Sequence, residues 1–411
     1  MRDPVVVTGA GCLSSLGIGA ETFVDELLAG HSGIAPVTRF STEGCRSHTA
    51  ALVRGFEPAR YIEPMKLRRV DEVGRLALVA CRLAAEDASL PTRTDEVGVV
   101  LGSATAGLHS TVTFLHSLVT TGPAGVPALN FSNMIGNAAA SLCALEFGWR
   151  GPNLTFAQKQ ASSLAAIAFA VGVLEQGRVS AFLCGGIDDI EEKFYRVHDR
   201  FRVLSPTDGE PEASRPFQAG RNGFVLGTGG HVVVIETPSS AARRGVVPYG
   251  EILGVGAASS DCPLNAWPTE PTGLVLAMRS ALSEAGVAPA EVTVVFATAN
   301  STRVLDHVEA LALEQVFGPY GVPVVSVKGA LGEFGAVGAA SLTAALLCLR
   351  RGILPPTLGC DPRDPACRVD LTTSARPSTG RIALINATAD GGAHYCVIAR
   401  AVAPGTVEHR A

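Results

Sequence analysis

The sequence predicts an internally duplicated α/β fold in which helices and sheets alternate in five layers. Apolar strand-like runs alternate with segments of helical spacing along both halves of the 411-residue chain. Each half also contains one unusually apolar helix, over Ala161–Leu174 and over Gly335–Leu349, which follows a strand and a turn of small residues. A helix that is apolar all round must be buried on all sides. Both helices are therefore expected in a central layer between two sheets.

The two halves are expected to meet near Arg243–Val247, where the chain turns polar, which predicts domains at 1–245 and 246–411. In the first half, a strand over Val5–Thr8 leads into a Gly-rich turn. Further strands are predicted at 96–104, 154–157, 180–186 and 229–237, and helices at 21–30, 108–121 and 133–148. In the second half, strands are predicted at 292–299 and 322–328, and helices at 273–286 and 305–318.

Composition excludes several classes of function. The formal net charge is -5 and no basic block is present, which argues against nucleic acid or an anionic membrane as a partner. The most apolar segments are shorter than the ~18 residues of a membrane span. The ten cysteines are scattered without a CxxC pair, so we expect reduced thiols, Cys184 in the core, and no metal or cofactor. No secretory signal is visible at the start, which predicts a cytoplasmic protein.

The segment GPNLTFAQKQASSLAAIAFAVGVLEQG, Gly151–Gly177, predicts a strand, a sharp turn and an apolar helix. Many α/β proteins hold a nucleophile in this way, yet the residue at the turn is Gln160, and a carboxamide is not a nucleophile at neutral pH. The neighbouring Lys159 has no visible carbonyl-binding partner and is expected to be an ordinary exposed lysine. The TGAG segment after the first strand lacks a full GxGxxG, so no dinucleotide loop is expected there.

Five segments in the same order resemble the β-ketoacyl synthases of the thiolase fold, over nearly the whole chain. They are VVVTGAG with GIAPVTRF, FGWRGPN, SRPFQAGRNGFVLGTGG, SVKGALGEFGAVGAA and INATADGGAHY. The resemblance implies the thiolase fold, an internally duplicated α/β arrangement in five layers, αβαβα. It also implies a catalytic site built from one Cys and two His.

The three catalytic positions of that family are occupied here by Gln160, Thr298 and Glu333. In the family, the Cys thiolate at a helix N-terminus accepts the acyl chain, and the two His act on the malonyl thioester during decarboxylation. Glutamine cannot carry an acyl group, threonine lacks a charged imidazole, and an anionic glutamate would repel the enolate. The resemblance therefore implies a degenerate triad with no catalytic residue.

Other family positions differ as well, since Thr228 replaces a Glu, Asn222 replaces an Asp and Asp390 replaces the gating Phe of the closing loop. Lys328 and Glu309 match the family and are interpreted as scaffold contacts.

A Gln at the Cys position is typical of chain-length factors, the ketosynthase β subunits of bacterial type II polyketide synthases. The resemblance implies a heterodimer with an active ketosynthase α subunit, which supplies the catalytic residues. It also implies that the acyl carrier protein bearing the growing polyketide binds mainly to that α subunit. The family's Gln-Ala-Gly-Gly segment is here Gln160-Ala161-Ser162-Ser163. We expect the Gln160 amide to fill the vacated pocket, which avoids a cavity and an unsatisfied polar group.

One helical segment carries the expected substrate tunnel. Matched to chain-length factors, Leu108, Thr111 and Leu115 line the polyketide tunnel, and their spacing places them on one helical face. Plain core or interface packing is the alternative for these three residues. Met134 is the candidate for a contact with the partner's pocket. His109 and His116, seven residues apart on the same segment, are expected at the surface or interface and not as metal ligands.

Two alternatives to a catalytically silent partner subunit stay open. The first is a decarboxylase that acts on malonyl-carrier protein to make a starter unit, although that reaction needs the two His that Thr298 and Glu333 replace. The second is a stand-alone homodimer that uses the fold for another purpose, such as acyl binding.

Overall fold

The computed structural model describes residues 4–207 and 211–403, and the outermost residues of the two predicted domains, 1–3 and 404–411, lie outside this range. The described α-helices are α1 (Ala20–Leu28), α2 (Pro64–Leu67), α3 (Glu72–Asp87), α4 (Leu108–Thr121), α5 (Ala128–Asn133), α6 (Ala138–Phe147), α7 (Ser162–Leu174), α8 (Glu192–Arg200), α9 (Pro238–Arg244), α10 (Thr272–Ala285), α11 (Arg303–Phe317), α12 (Lys328–Leu331) and α13 (Val337–Arg351). The described strands are β1 (Val5–Ser14), β2 (Gly17–Ile18), β3 (Ala35–Pro36), β4 (Thr49–Ala50), β5 (Val97–Gly102), β6 (Asn153–Phe156), β7 (Ala181–Asp188), β8 (Gly229–Glu236), β9 (Gly250–Ser259), β10 (Val294–Phe296), β11 (Pro323–Val325), β12 (Ile353–Leu354), β13 (Asp370–Leu371), β14 (Arg376–Pro377), β15 (Ile382–Thr388) and β16 (Ala393–Ala401).

The long strands of both halves form one mixed sheet in the order β13-β11-β10-β15-β16-β9-β1-β8-β7-β5-β6. The halves join where β1 pairs antiparallel with β9, with Val6 opposite Glu251. Within the first half β5 runs parallel to β6 and β7, and within the second half β10 runs parallel to β11 and β15. Parallel strands are covered by helices on both faces, which explains their nearly continuous apolar sequences.

The two apolar helices lie between the two halves of this sheet. Helix α7 packs on β5 and β7, α13 packs on β15 and β16, and the two helices contact each other. Every residue of 337–349 is buried. On the outer faces, α3 covers β1 and α10 covers β9. The predicted duplicated arrangement of helix, sheet, helix, sheet and helix is confirmed.

Strand β1 corrects one expectation. The Gly-rich turn predicted after Thr8 is wrong, because the strand continues through Gly9 and Gly11 to Ser14. A Cβ atom at Gly11 would lie 2.0 Å from the backbone oxygen of Ala80 on α3. These glycines therefore permit close packing of a helix on the sheet and do not form a phosphate-binding turn.

The helix predicted over 133–148 is also corrected. Helix α5 ends at Asn133 and α6 begins only at Ala138, with a turn between them. Gly136 in that turn has low helix propensity, which explains the interruption. Among the described residues, no helix combines the length and the apolar character needed to cross a bilayer.

Candidate functional site

Two of the three degenerate positions lie in the wall of one cavity. The chain leaves β6, makes a short 3₁₀ turn over Lys159–Ala161 and enters α7, so Gln160 sits just before the buried helix. Gln160 and Glu333 both line a cavity of about 470 Å³. Thr298 is buried behind this wall, and its backbone oxygen accepts a 2.7 Å hydrogen bond from Lys328. The structure therefore brings the three positions together.

Gln160 contacts the loop between β15 and β16. Its Oε1 accepts a hydrogen bond of 3.2 Å from the backbone N–H of Asp390, and its Nε2 donates a long one of 3.4 Å to the Asp390 carboxylate. The side chain is only half-buried and an open cavity remains beside it. The expectation that Gln160 fills the vacated pocket is wrong, because the amide is held to the side by Asp390.

Lys159 is not the ordinary exposed lysine that the sequence suggested. Its ammonium forms an ion pair with Asp390 and donates a 2.5 Å hydrogen bond to the side chain of Asn265. The backbone of Lys159 has φ 46°, a left-handed conformation that is uncommon outside glycine. The sharp turn before α7 thus directs this side chain across the cavity rim, toward two loops of the second half.

A second ion pair, Lys328 with Glu333, is buried at the cavity wall, with Glu333 in the wall and Lys328 behind it. Lys328 Nζ donates to Glu333 Oε2 at 2.8 Å, and Asn300 Nδ2 donates to the same oxygen at 2.7 Å. Burial raises the pKa of Glu333, while the ammonium of Lys328 lowers it. Glu309 accepts hydrogen bonds from the backbone N–H groups of Thr298 and Ala299. The contacts of Lys328 and Glu309 hold this part of the wall together.

The carboxyl end of β7 contributes two acidic groups that the sequence analysis missed. Asp188 accepts hydrogen bonds from the hydroxyls of Ser103 and Thr105, at 2.8 and 3.0 Å. Burial raises the pKa of Asp188 to about 6, although these hydrogen bonds lower it. Asp189 pairs with Arg39 at 2.7 Å. An acidic pair directly after a buried strand was the signal available in the sequence.

Aromatic and aliphatic side chains form much of the rest of the cavity wall, and the sequence analysis assigned none of them to a site, although Phe224, Leu226 and Phe334 lie in family-like segments. They include Ile190, Phe194, His198, Phe201, Val203, Phe224, Leu226, Trp267 and Phe334. His198 on α8 lies close to Phe194, with ring centroids 4.1 Å apart. Burial lowers the pKa of His198, which favours the neutral ring.

The four residues predicted for the tunnel and the partner contact do not line this cavity. Leu108, Thr111 and Leu115 lie on α4, and Leu115 is 49% exposed. Thr111 uses its hydroxyl to donate to the backbone oxygen of Gly107 at 2.8 Å. Met134 is half-buried at the end of α5. Their roles in a tunnel stay predictions that need a second chain.

Helices α4, α5 and α6 expose a group of large apolar side chains, which we call the apolar face. Its members are Leu115, Leu118, Val119, Leu129, Phe131, Ile135 and Leu145. Helices α4 and α5 pack on each other, with the rings of Phe114 and Phe131 6.2 Å apart. His109 and His116 are exposed on α4, as expected. Large exposed apolar patches of this kind mark protein interaction sites.

The hydroxyl of Ser162 and the thiol of Cys184 are poorly placed to act as nucleophiles. Ser162, two residues after Gln160, is fully buried and its hydroxyl donates to the backbone oxygen of Lys159 at 2.6 Å. Cys184 is buried in the core, as predicted, where burial raises the pKa of its thiol. Within residues 4–207 and 211–403, no three His, Cys, Asp or Glu side chains are grouped so as to hold a metal ion.

Comparison with known families identifies the chain. The β-ketoacyl synthase N-terminal domain matches residues 2–241 and the C-terminal domain matches residues 249–361. This chain belongs to the β-ketoacyl synthase family. Its architecture is the thiolase fold of the ketosynthases, as predicted.

Individual relatives agree with this assignment. The chain is 32% identical over 374 residues to 3-oxoacyl-[acyl-carrier-protein] synthase 2 of Coxiella burnetii, covering 89% of this chain and 90% of that protein. It is 29% identical to a chain of the ishigamide ketosynthase/chain length factor, with a TM-score of 0.92 over 98% of this chain and 100% of the other. A β-ketoacyl synthase of Burkholderia phymatum is 26% identical, with a TM-score of 0.90 over 98% and 100% of the two chains.

Proposed function

We propose that this protein is a chain-length factor, a catalytically silent subunit that pairs with an active ketosynthase and helps set polyketide length. The observation that carries the proposal is Gln160 in the turn between β6 and α7, where the family has its catalytic Cys. Thr298 and Glu333 stand at the positions that match the family's two His. Glu333 is held by Lys328 and Asn300. A carboxylate that is held in an ion pair and a hydrogen bond is a poor replacement for an imidazole in acid–base chemistry.

The apolar face supports the presence of a partner subunit. Val119 is 83% exposed and Leu145 is 81% exposed, so most of their apolar surface is left in water in the isolated chain. We propose that this face packs on the ketosynthase α subunit, which binds the acyl carrier protein. In that assembly Leu108, Thr111 and Leu115 border the growing polyketide, and Met134 approaches the partner's pocket.

Native mass spectrometry of the chain, co-expressed with a Cys-containing ketosynthase from the same gene neighbourhood, tests this proposal. We expect a one-to-one heterodimer with the wild-type chain. Val119→Glu should abolish the heterodimer, because it buries an unpaired charge at the interface. The matched control is Val304→Glu, at an exposed valine on α11 outside the apolar face, which should leave the heterodimer intact.

Two results would contradict the proposal. One is a stable homodimer that does not bind the ketosynthase. The other is decarboxylation of malonyl-carrier protein by the isolated chain that is lost in Gln160→Ala. If the heterodimer forms, Leu115→Ala should lengthen the products of the pair, since it widens the proposed tunnel, and Leu115→Trp should shorten them.

A further inference from the structure

The cavity beside Gln160 has more negative than positive charge in its wall. Four carboxylates line it, which are Asp188, Asp189, Glu333 and Asp390. The last three each form an ion pair, with Arg39, Lys328 and Lys159 in that order. Asp188 is held by hydroxyl and backbone donors, and within the described residues it forms no ion pair. The ionised carboxylates and their counter-ions therefore keep one uncompensated negative charge.

Two of these carboxylates have oxygens that can accept further hydrogen bonds. Glu333 Oε2 accepts from Lys328 and Asn300, whereas Glu333 Oε1 is buried with no hydrogen-bond partner among the described residues. In the same part of the chain, Asp188 Oδ2 accepts one hydrogen bond, from the backbone N–H of Gly335. Gly335 follows Glu333 by two residues, so the two carboxylates lie in the same part of the wall. A buried acceptor without a donor is unfavourable, and a ligand with N–H donors removes that cost.

Aromatic rings form another part of the wall. Five aromatic side chains line the cavity, which are Phe194, Phe201, Phe224, Trp267 and Phe334. The face of an aromatic ring carries partial negative charge and attracts a cation within about 6 Å of its centre. The volume of about 470 Å³ lies within the range of small-molecule sites, which is about 300–1,000 Å³. Carboxylates and aromatic rings together favour an ammonium group over a neutral or anionic one.

The basic side chains of the wall do not oppose such a ligand. The ammonium of Lys159 is held at the rim by its ion pair with Asp390 and by a 2.5 Å hydrogen bond to Asn265. Burial lowers the pKa of His198, so its ring is neutral at pH 8. Neither group therefore places an unmatched positive charge in the cavity.

We propose that this cavity binds a protonated primary amine with an aryl-alkyl substituent, without a covalent bond. The ammonium group donates hydrogen bonds to Glu333 and Asp188, and the substituent lies among the aromatic rings. This site belongs to the chain alone and does not rest on the proposed function, since it requires neither a partner subunit nor a polyketide.

Three probes that share a phenylbutyl group test the proposal. They are 4-phenylbutylamine, 4-phenylbutanol and 4-phenylbutyrate, which are cationic, neutral and anionic at pH 8. In isothermal titration calorimetry of the purified chain, we expect the amine to bind about tenfold more tightly than the alcohol, and the carboxylate to bind most weakly. An alcohol that binds as tightly as the amine, or an amine that does not bind, would overturn the proposal.

The pH dependence of the wild-type chain tests the role of the charge. Burial raises the pKa of Asp188 to about 6, so this carboxylate is ionised at pH 8 and protonated at pH 5. The other titratable groups that line the cavity are Lys159, Asp189, His198, Glu333 and Asp390. A proton gained by any of them also makes the wall less negative. The preference for the amine over the alcohol should therefore fall about tenfold between pH 8 and pH 5, and an unchanged preference would contradict the proposal.

Variants locate the ligand. Asp188→Asn keeps the shape of the side chain, removes the uncompensated charge, and should weaken binding of the amine about tenfold without changing that of the alcohol. Val203→Phe fills the cavity and should abolish binding of the amine. Its matched control is Val197→Phe, at an exposed valine on α8 outside the cavity wall, which should bind as wild type. Amine binding that is unchanged in Val203→Phe places the ligand elsewhere and refutes this site.

Discussion

Two lysine–carboxylate pairs flank the cavity, and they differ in environment more than in chemistry. Lys328 lies behind the wall and Glu333 forms part of it, and their side chains are 5% and 2% exposed. Lys159 and Asp390 cross the rim, with side chains 36% and 20% exposed. The buried pair has further hydrogen bonds to the Asn300 side chain and the Thr298 backbone oxygen, whereas the rim pair has them to the side chains of Asn265 and Gln160.

This difference assigns the two pairs different roles. A buried charge has lost its hydration, so removal of its partner leaves an uncompensated charge in the interior. A charge at the rim recovers hydration when its partner is removed. The buried pair is therefore expected to contribute more to the stability of the fold than the rim pair.

The largest expected effect tests the buried pair. Lys328→Met leaves Glu333 without its counter-charge and should lower the free energy of unfolding by about 3–5 kcal/mol in urea denaturation. The double variant Lys328→Met/Glu333→Leu should recover much of this loss, because no unpaired charge remains. A loss below 1 kcal/mol in the single variant would show that water reaches this part of the wall.

His231 is a buried polar residue outside these two ion pairs. His231 on β8 is fully buried between Phe23 and Phe334, and neither ring nitrogen has a hydrogen-bond partner within residues 4–207 and 211–403. Replacement by a hydrocarbon in His231→Leu should raise the free energy of unfolding by about 1–3 kcal/mol at pH 7. Unchanged or lower stability at that pH would indicate that the ring packing outweighs the unsatisfied nitrogens.

The same residue predicts a pH dependence. Burial lowers the pKa of His231 from 6.5 to about 3. The unfolded chain therefore binds a proton as the pH falls below about 6.5, while the folded chain resists it until about 3. Over this window the wild type should lose up to about 1.4 kcal/mol per pH unit relative to His231→Leu. Parallel stability curves for the two proteins between pH 6.5 and 4 would contradict this assignment.

The smallest expected effect belongs to the rim pair. Lys159→Met should change the free energy of unfolding by less than about 1 kcal/mol, because both side chains are partly hydrated. A double-mutant cycle with Asp390→Asn measures the coupling directly, and its value should fall as salt rises to 1 M. Coupling as large as that of the buried pair would remove the distinction between the two.

The sequence predicted the layers and the degenerate triad from local information. All-round apolar character placed α7 and α13 in the centre, since no other location buries every face of such a helix. Motif order located Gln160, Thr298 and Glu333. The cavity escaped sequence analysis because its wall combines α8, the end of β7 and three loops from both halves. Gly9 and Gly11 were misread because their contact is with a helix about 70 residues away.

The sequence by itself predicted the duplicated fold of a ketosynthase and the replacement of the family's Cys and two His by Gln160, Thr298 and Glu333, because periodicity and motif identity are properties of short segments. Only the tertiary structure decided that Gln160 borders an open cavity, that Lys159 pairs with Asp390 across 231 residues, and that His231 is buried with no hydrogen-bond partner among the described residues. The burial of a side chain, the formation of an ion pair and the presence of a cavity depend on which distant segments come into contact. Local sequence patterns do not specify those contacts.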